Sequence, residues 1–142
     1  MYLVSACLAG FECRYDGKSN TNDKVVELIN KGRAIPICPE QLGGLCTPRA
    51  ACEIVRQHTL EKRVINNCGE DKTYEFELGI KRSVNIAKIL KIKKAILKAK
   101  SPSCGCGEIY DGTFTGKLIV GNGLLVDALL KEGIQVITEK EL

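Results

Sequence analysis

Four short apolar runs, set apart by segments of helical period, restrict the fold of this chain more than any other feature. Leu3-Val4-Ser5-Ala6, Ala34-Ile35-Pro36-Ile37-Cys38, Lys94-Ala95-Ile96-Leu97-Lys98-Ala99 and Ile134-Gln135-Val136-Ile137 have the length and composition of strands. Between the first two, residues 22–31 carry Val25, Val26, Leu28 and Ile29 at helical spacing. Asn22 or Asp23 is placed to cap that helix by accepting a backbone N–H bond, and Gly32 suits a left-handed stop. A second helix is predicted over 73–90, where Phe76, Leu78, Ile80, Val84, Ile86, Ala87 and Leu90 recur on one side. Gly79 weakens it by roughly 1 kcal/mol relative to Ala, a penalty that tertiary packing commonly outweighs. A third, over 122–131, buries Leu124, Leu125, Ala128 and Leu129 and closes at Gly133.

Parallel strands need a crossover element between them, so strands alternating with helices imply a parallel sheet. The expected fold is therefore α/β: a three-layer, mostly parallel open sheet with helices on both faces, Rossmann-like in outline. Pro36 cannot donate to a ladder, which points its strand to an edge. Residues 41–67 are harder to read, because Gly43-Gly44 and Pro48 interrupt them and only Arg63-Val64-Ile65-Asn66 has strand character. The expectation there is a functional loop, a short helix near 51–57 and a small extension. Residues 110–116 read as a turn or flap. With no internal repeat or linker, the 142 residues form one domain, 1–142, and a chain of that size buries roughly two thirds of its unfolded surface. Metal is not needed to fold it.

Cys7, Cys38 and Cys104 each stand where an apolar run breaks into a Gly- or Pro-bearing turn. The turns are Ser5-Ala6-Cys7-Leu8-Ala9-Gly10, Cys38-Pro39-Glu40 and Ser101-Pro102-Ser103-Cys104-Gly105. Reactive groups in an open α/β sheet gather beyond the carboxyl ends of the strands, so remote residues meet at one crevice. Three converging thiols point to a metal or cluster, because metal holds as thiolate what is otherwise mostly protonated at neutral pH. Eight cysteines in a short secreted chain would suggest disulfides. Here Met1 runs straight into Tyr2-Leu3-Val4 with no basic leader or cleavage site, so the expected location is the cytoplasm, where thiols stay reduced. No apolar run approaches the ~20 residues that span a bilayer, so no membrane partner is expected. Composition, at 44% hydrophobic and 27% charged, argues against disorder. The net charge of +4 gathers partly in Lys88 to Lys94 and Lys98 to Lys100, but that patch lacks the aromatics of a nucleic-acid surface. Oligomeric state is left open.

Other residues group around those turns. Glu40 places a carboxylate two residues beyond Cys38, suited to act as a base, and Gly43-Gly44 let the backbone come close to a bound group. Pro102 holds Ser101 extended, which aims its hydroxyl steadily; in an ordinary turn Ser101 would bond its own backbone instead. Arg14 and Arg49 offer planar donor forks for an anion or for cluster charge. Asp16 and Asp111 share the sequence Tyr-Asp-Gly, suited either to a tight turn or to lining a pocket. The single histidine, His58, lies in a polar segment and leaves no hydrolase triad. Cys13, Cys46, Cys52, Cys68 and Cys106 read mostly as small buried apolar residues.

The chain resembles the short-form thiouracil desulfurase family, a bacterial domain family formerly of unknown function. The resemblance rests on Val4-Ser5-Ala6-Cys7-Leu8-Ala9-Gly10, Cys13-Arg14-Tyr15-Asp16-Gly17, Cys38-Pro39-Glu40-Gln41-Leu42-Gly43-Gly44-Leu45, Thr47-Pro48-Arg49, Ser101-Pro102-Ser103-Cys104-Gly105 and Ile109-Tyr110-Asp111-Gly112-Thr113-Phe114-Thr115-Gly116. It implies a four-iron, four-sulfur cluster (4Fe-4S) held by Cys7, Cys38 and Cys104 with the fourth iron open. It also implies non-redox removal of sulfur from a small thiolated pyrimidine, with Glu40 activating water and Ser101 positioning substrate or moving protons. Arg14, Asp16, Gly43, Gly44, Arg49, Ser103 and Asp111 are the expected substrate-binding residues. The alternative is a non-enzymatic zinc-binding or regulatory domain using the same three cysteines with Cys46 or Cys106. A nucleotide-binding module ranks last, since the chain has neither a G-x-G-x-x-G run nor a P-loop.

Overall fold

The computed structural model describes residues 1–56 and 61–142. In chain order the elements are β1 (Tyr2–Ser5), α1 (Asp23–Asn30), β2 (Ala34–Ile37), α2 (Pro39–Leu42), β3 (Cys52–Arg56), β4 (Lys62–Asn66), α3 (Thr73–Ile89), β5 (Lys94–Leu97), β6 (Glu108–Tyr110), β7 (Leu118–Val120), α4 (Leu124–Lys131) and β8 (Gln135–Thr138). Four strands form a parallel sheet in the order β2-β1-β5-β8. Pro36 lies on β2, at the edge, as its missing donor requires.

Alternation along each strand divides the core between the two faces. Val4 and Ile96 turn toward α1 and meet Val25, Leu28 and Ile29. Leu3, Ala95 and Leu97 turn the other way onto Ala87 of α3 and Leu125, Val126 and Leu129 of α4. The expected three layers are present. Asn22 caps α1, its side chain accepting from the amides of Lys24 and Val25, and Gly32 takes the left-handed conformation just past the end. Among the described residues no helix is long and apolar enough to cross a membrane.

The segment between β2 and α3 departs from expectation. The helix predicted near 51–57 is instead β3, paired antiparallel with β4 through Cys52↔Asn66 to Arg56↔Lys62; Gln57 lies outside the described residues. Ile54 is buried against Val64, Phe76 and Ile109, and this packing decides a sequence whose local preference is weak. The flap is the tip of a second ribbon, in which β6 and β7 pair from Glu108↔Val120 to Tyr110↔Leu118. Thr73 links the first ribbon to α3: its hydroxyl accepts from the Val64 amide at 2.9 Å, while its own amide donates to Asp71 at 2.9 Å.

Gly79 proves to be a contact point rather than a defect. A Cβ there would stand 1.8 Å from the Pro39 carbonyl oxygen, and a Cβ on Gly43 would stand 1.9 Å from that of Glu75. The two glycines thus let α2 lie directly on the backbone of α3. Ordinarily Gly→Ala in a helix interior gains up to about 1 kcal/mol. Gly79→Ala is expected to do the reverse, costing on the order of 2 kcal/mol because backbone must move. Urea unfolding checks the sign, and a stabilised variant would refute the contact.

Candidate active site

Cys7, Cys38 and Cys104 all lie beyond the same end of the sheet, because β1, β2 and β5 are parallel neighbours: Cys7 and Cys38 come within two residues of their strands, and Cys104 follows β5 after the turn at Ser101. β1 sends its crossover through α1 to β2 on one side, while β5 lies on its other side. This divergence is where open α/β sheets form their crevice. Cys7 sits in the 3-10 turn Ala6–Ala9, Cys38 is the N-cap of α2, and Cys104 closes the turn after Ser101. All three line one cavity of about 590 Å³.

The cavity also receives Cys13, Arg14, Glu40, Arg49, Lys98, Ser101 and Ser103. Glu40, in the first turn of α2, is held at both oxygens: Arg49 Nε donates to Oε1 at 3.1 Å, and Ser103 Oγ donates to Oε2 at 3.0 Å. The Arg49 and Glu40 side chains are only 8% and 15% exposed. Arg49 spends its other donors on the Cys13 and Cys46 carbonyls and the Thr47 hydroxyl, and its amide donates to Tyr15. One guanidinium therefore ties the loop after β1 to the loop after α2.

The serine turn is equally closed. Ser101 Oγ accepts from the amides of Ser103 and Cys104 at 3.2 and 3.1 Å and lies 3.0 Å from Ser103 Oγ. Ser101 thus does bond its own turn, and the hydroxyl that meets Glu40 belongs to Ser103. With Ser103 donating to Glu40, Ser101 is the donor to Ser103.

Burial pushes the Cys7 thiol up to about 11, with Cys38 adding to the rise and Lys98 and Arg14 opposing it. Burial pushes Cys104 up to about 12 against hydrogen bonds from Ser5 and Ser103. Cys38 is held below the ordinary thiol range, first by its hydrogen bond with Cys13 and also by the Gln41 amide at the start of α2; Cys13 rises for the same reason. Buried thiols of this kind give up their protons when metal binds. Lys98 is fixed near Cys7 by Glu139, at 3.1 Å, whose other oxygen accepts from the Ala99 amide at 2.8 Å.

Several expected contacts lie elsewhere. Gly43 and Gly44 are outside the cavity lining; they end α2, and Gly43 approaches α3 rather than a ligand. Asp16 pairs with Arg14 at 3.3 Å and accepts from the Lys18 amide, so it holds Arg14 rather than facing the cavity. Asp111 accepts from the Thr113 amide and hydroxyl in the flap, and the hydroxyl bond leads the lowering of its pKa. His58 lies outside the described residues. Cys46 and Cys106 do not line the cavity, whereas Cys13 and Cys52 do. Among the described residues, no three His, Cys, Asp or Glu side chains close on a single ion. Sequence reading also missed Lys98, Glu53, Tyr110 and Phe114 as lining residues. The aromatic in a glycine-rich flap was the available signal for the last.

The family model for 2-thiouracil desulfurase matches residues 2–141. The chain belongs to this family. A Bacillus subtilis (strain 168) relative, the uncharacterized protein YbbK, is 41% identical over the whole of this chain and 97% of its own length. Among solved structures, the 4Fe-4S-dependent thiouracil desulfidase TudS matches 99% of this chain and 91% of its own, with a TM-score of 0.90 at 40% identity. The mixed α/β architecture is thus shared with this solved structure.

Removing one partner of a buried ion pair leaves an uncompensated charge, which typically costs about 3 kcal/mol or more. Arg49→Ala is therefore expected to lower unfolding free energy by about that much, and Arg49→Lys by less, since an ammonium keeps the charge although it lacks the planar fork. In the Arg49→Ala/Glu40→Ala double variant the losses should be clearly less than additive. Additive losses in denaturant unfolding would show that the two side chains act independently.

Proposed function

We propose that this cavity removes sulfur from a thiolated pyrimidine or a related small thiocarbonyl compound, with Cys7, Cys38 and Cys104 holding a 4Fe-4S cluster. The observation that carries the reading is the meeting, in one cavity, of three thiols from the segments that follow three adjacent parallel strands with a doubly anchored carboxylate. The donor set fits the cluster. A single zinc must be reached by every sulfur at ~2.3 Å, whereas a cluster takes each thiolate on a separate iron and so needs a wider spacing. Cys46 and Cys106, the alternative fourth zinc ligands, stand outside the cavity. Lys98 and Arg14 near Cys7, and Arg49 near Cys38, supply positive charge for an assembly that three thiolates leave anionic.

When bound, the cluster supplies an open iron that acts as a Lewis acid toward the soft thiocarbonyl sulfur, with no change of redox state. Glu40 takes a proton from the attacking water, whose oxygen becomes the carbonyl oxygen of the product. Both water protons leave with the departing sulfide, so nothing is oxidised or reduced. Arg49 and Ser103 fix the carboxylate in the cavity, so that its orientation is set before water arrives. Ser101 donates to Ser103 and Ser103 to Glu40, so the serine turn positions the carboxylate and orders the hydroxyls along which a proton reaches it. Arg14, kept in the cavity by Asp16 and by its bond to Asn20, faces the substrate as a fixed cation.

Two measurements test the reading. Cys7→Ser, Cys38→Ser and Cys104→Ser should each lower iron and sulfide content in protein isolated without oxygen, while Cys68→Ser, at an exposed position away from the cavity, should not. Equal loss in all four would refute the ligand assignment. Glu40→Gln should keep the cluster yet lower sulfide release from 2-thiouracil by about 10²- to 10⁴-fold; turnover at the wild-type rate would remove Glu40 as the base.

A further inference from the structure

We propose that Phe114 is the surface on which the pyrimidine ring stacks, held over the cavity by the buried Glu53 carboxylate; this rests on the substrate class inferred above. Phe114 has φ 57, a left-handed conformation that is a genuine outlier for a bulky side chain. Strained backbone of this kind persists only where its surroundings enforce it, and it concentrates at ligand sites. Here the enforcement is visible. Glu53, in β3 and only 8% exposed, accepts with one oxygen from the amides of Gly112 at 2.9 Å and Phe114 at 3.2 Å. Gly112, at φ 91, presses against β3 so closely that a Cβ would stand 2.7 Å from the Ile54 carbonyl oxygen.

The ring so presented is not a core residue. Phe114 is 38% exposed, lines the cavity and belongs to none of the buried clusters. Aromatic surface is scarce in this chain, with three Phe, four Tyr and no Trp. Among the described residues only Tyr15 and Tyr110 share the lining with it. Arg14 already lies over the Tyr15 ring, 5.8 Å from its centre, and Tyr110 sits in the regular β6–β7 pair opposite Leu118, with none of the backbone strain that marks Phe114. Phe114 is thus the aromatic presented to a planar heterocycle in the cavity, at a hairpin tip that Glu53 fastens to β3.

The test uses cluster-loaded protein and four forms: wild type, Phe114→Gly, Phe114→Leu and Phe114→Tyr. Iron content, thermal midpoint, sulfide release from 2-thiouracil and calorimetric binding of uracil are measured on each. Glycine relieves the left-handed strain, so Phe114→Gly should keep its iron and melt at or above the wild-type temperature. It should nevertheless raise KM and the uracil dissociation constant about 10- to 100-fold, the usual effect of removing a base-stacking aromatic. Phe114→Leu should fall between, and Phe114→Tyr should bind nearly as wild type does. Unchanged uracil binding in Phe114→Gly would overturn the proposal, as would a lower melting temperature with loss of iron, which would mark Phe114 as packing. Uracil binding that depends on Phe114 in a protein that releases no sulfide would leave the stacking intact and fault the activity. Sulfide release with binding indifferent to Phe114 would do the opposite.

Discussion

The parallel pairing of β1 with both β2 and β5 is the constraint from which the rest of the site follows. A parallel ladder points its strands the same way, so three turns written far apart in the chain open at one end of the sheet. Cys7 follows the central strand of the three, and Cys38 and Cys104 follow the strands on either side of it. Cys7 and Cys104 are buried there and Cys38 is half-buried, all three facing the one cavity.

Around that frame, charge is arranged in pairs. Arg49 with Glu40, Arg14 with Asp16 and Lys98 with Glu139 each bring a cation to the cavity with its own carboxylate in contact. Only Glu40, of the three carboxylates, lines the cavity itself. Asp16 and Glu139 act through the cations they hold, which fixes where positive charge stands before any anion arrives. The serine turn gives the same arrangement in neutral form, with each donor and acceptor of Ser101 and Ser103 already directed.

Much of this was legible in the sequence because the signals were local. A cysteine at the end of an apolar run marks a strand's carboxyl end, and Asn22, Gly32 and Pro36 announced a cap, a stop and an edge through chemistry of their own. The failures share one cause, which is dependence on a distant partner. β3 reads poorly as a strand because Glu53 interrupts it, yet Glu53 is buried there by amides of the β6–β7 hairpin. Gly43 correctly signals a close approach, but sequence cannot say that the neighbour is α3 rather than a ligand. Ser101 and Ser103 differ by only two positions, and which one meets Glu40 depends on how the turn folds back on itself.

The glycine contact between α2 and α3 reaches further than packing. Cys38 and Glu40 bracket the start of a helix barely one turn long, and such a helix has little rigidity of its own. Its carbonyl and Cα interlock with α3 in both directions, so it can neither slide nor roll. The geometry between the Cys38 thiol and the neighbouring carboxylate is therefore decided from behind, by a helix that contributes nothing to the cavity wall. Changes in reactivity within such a fold need not begin among the residues that face the substrate.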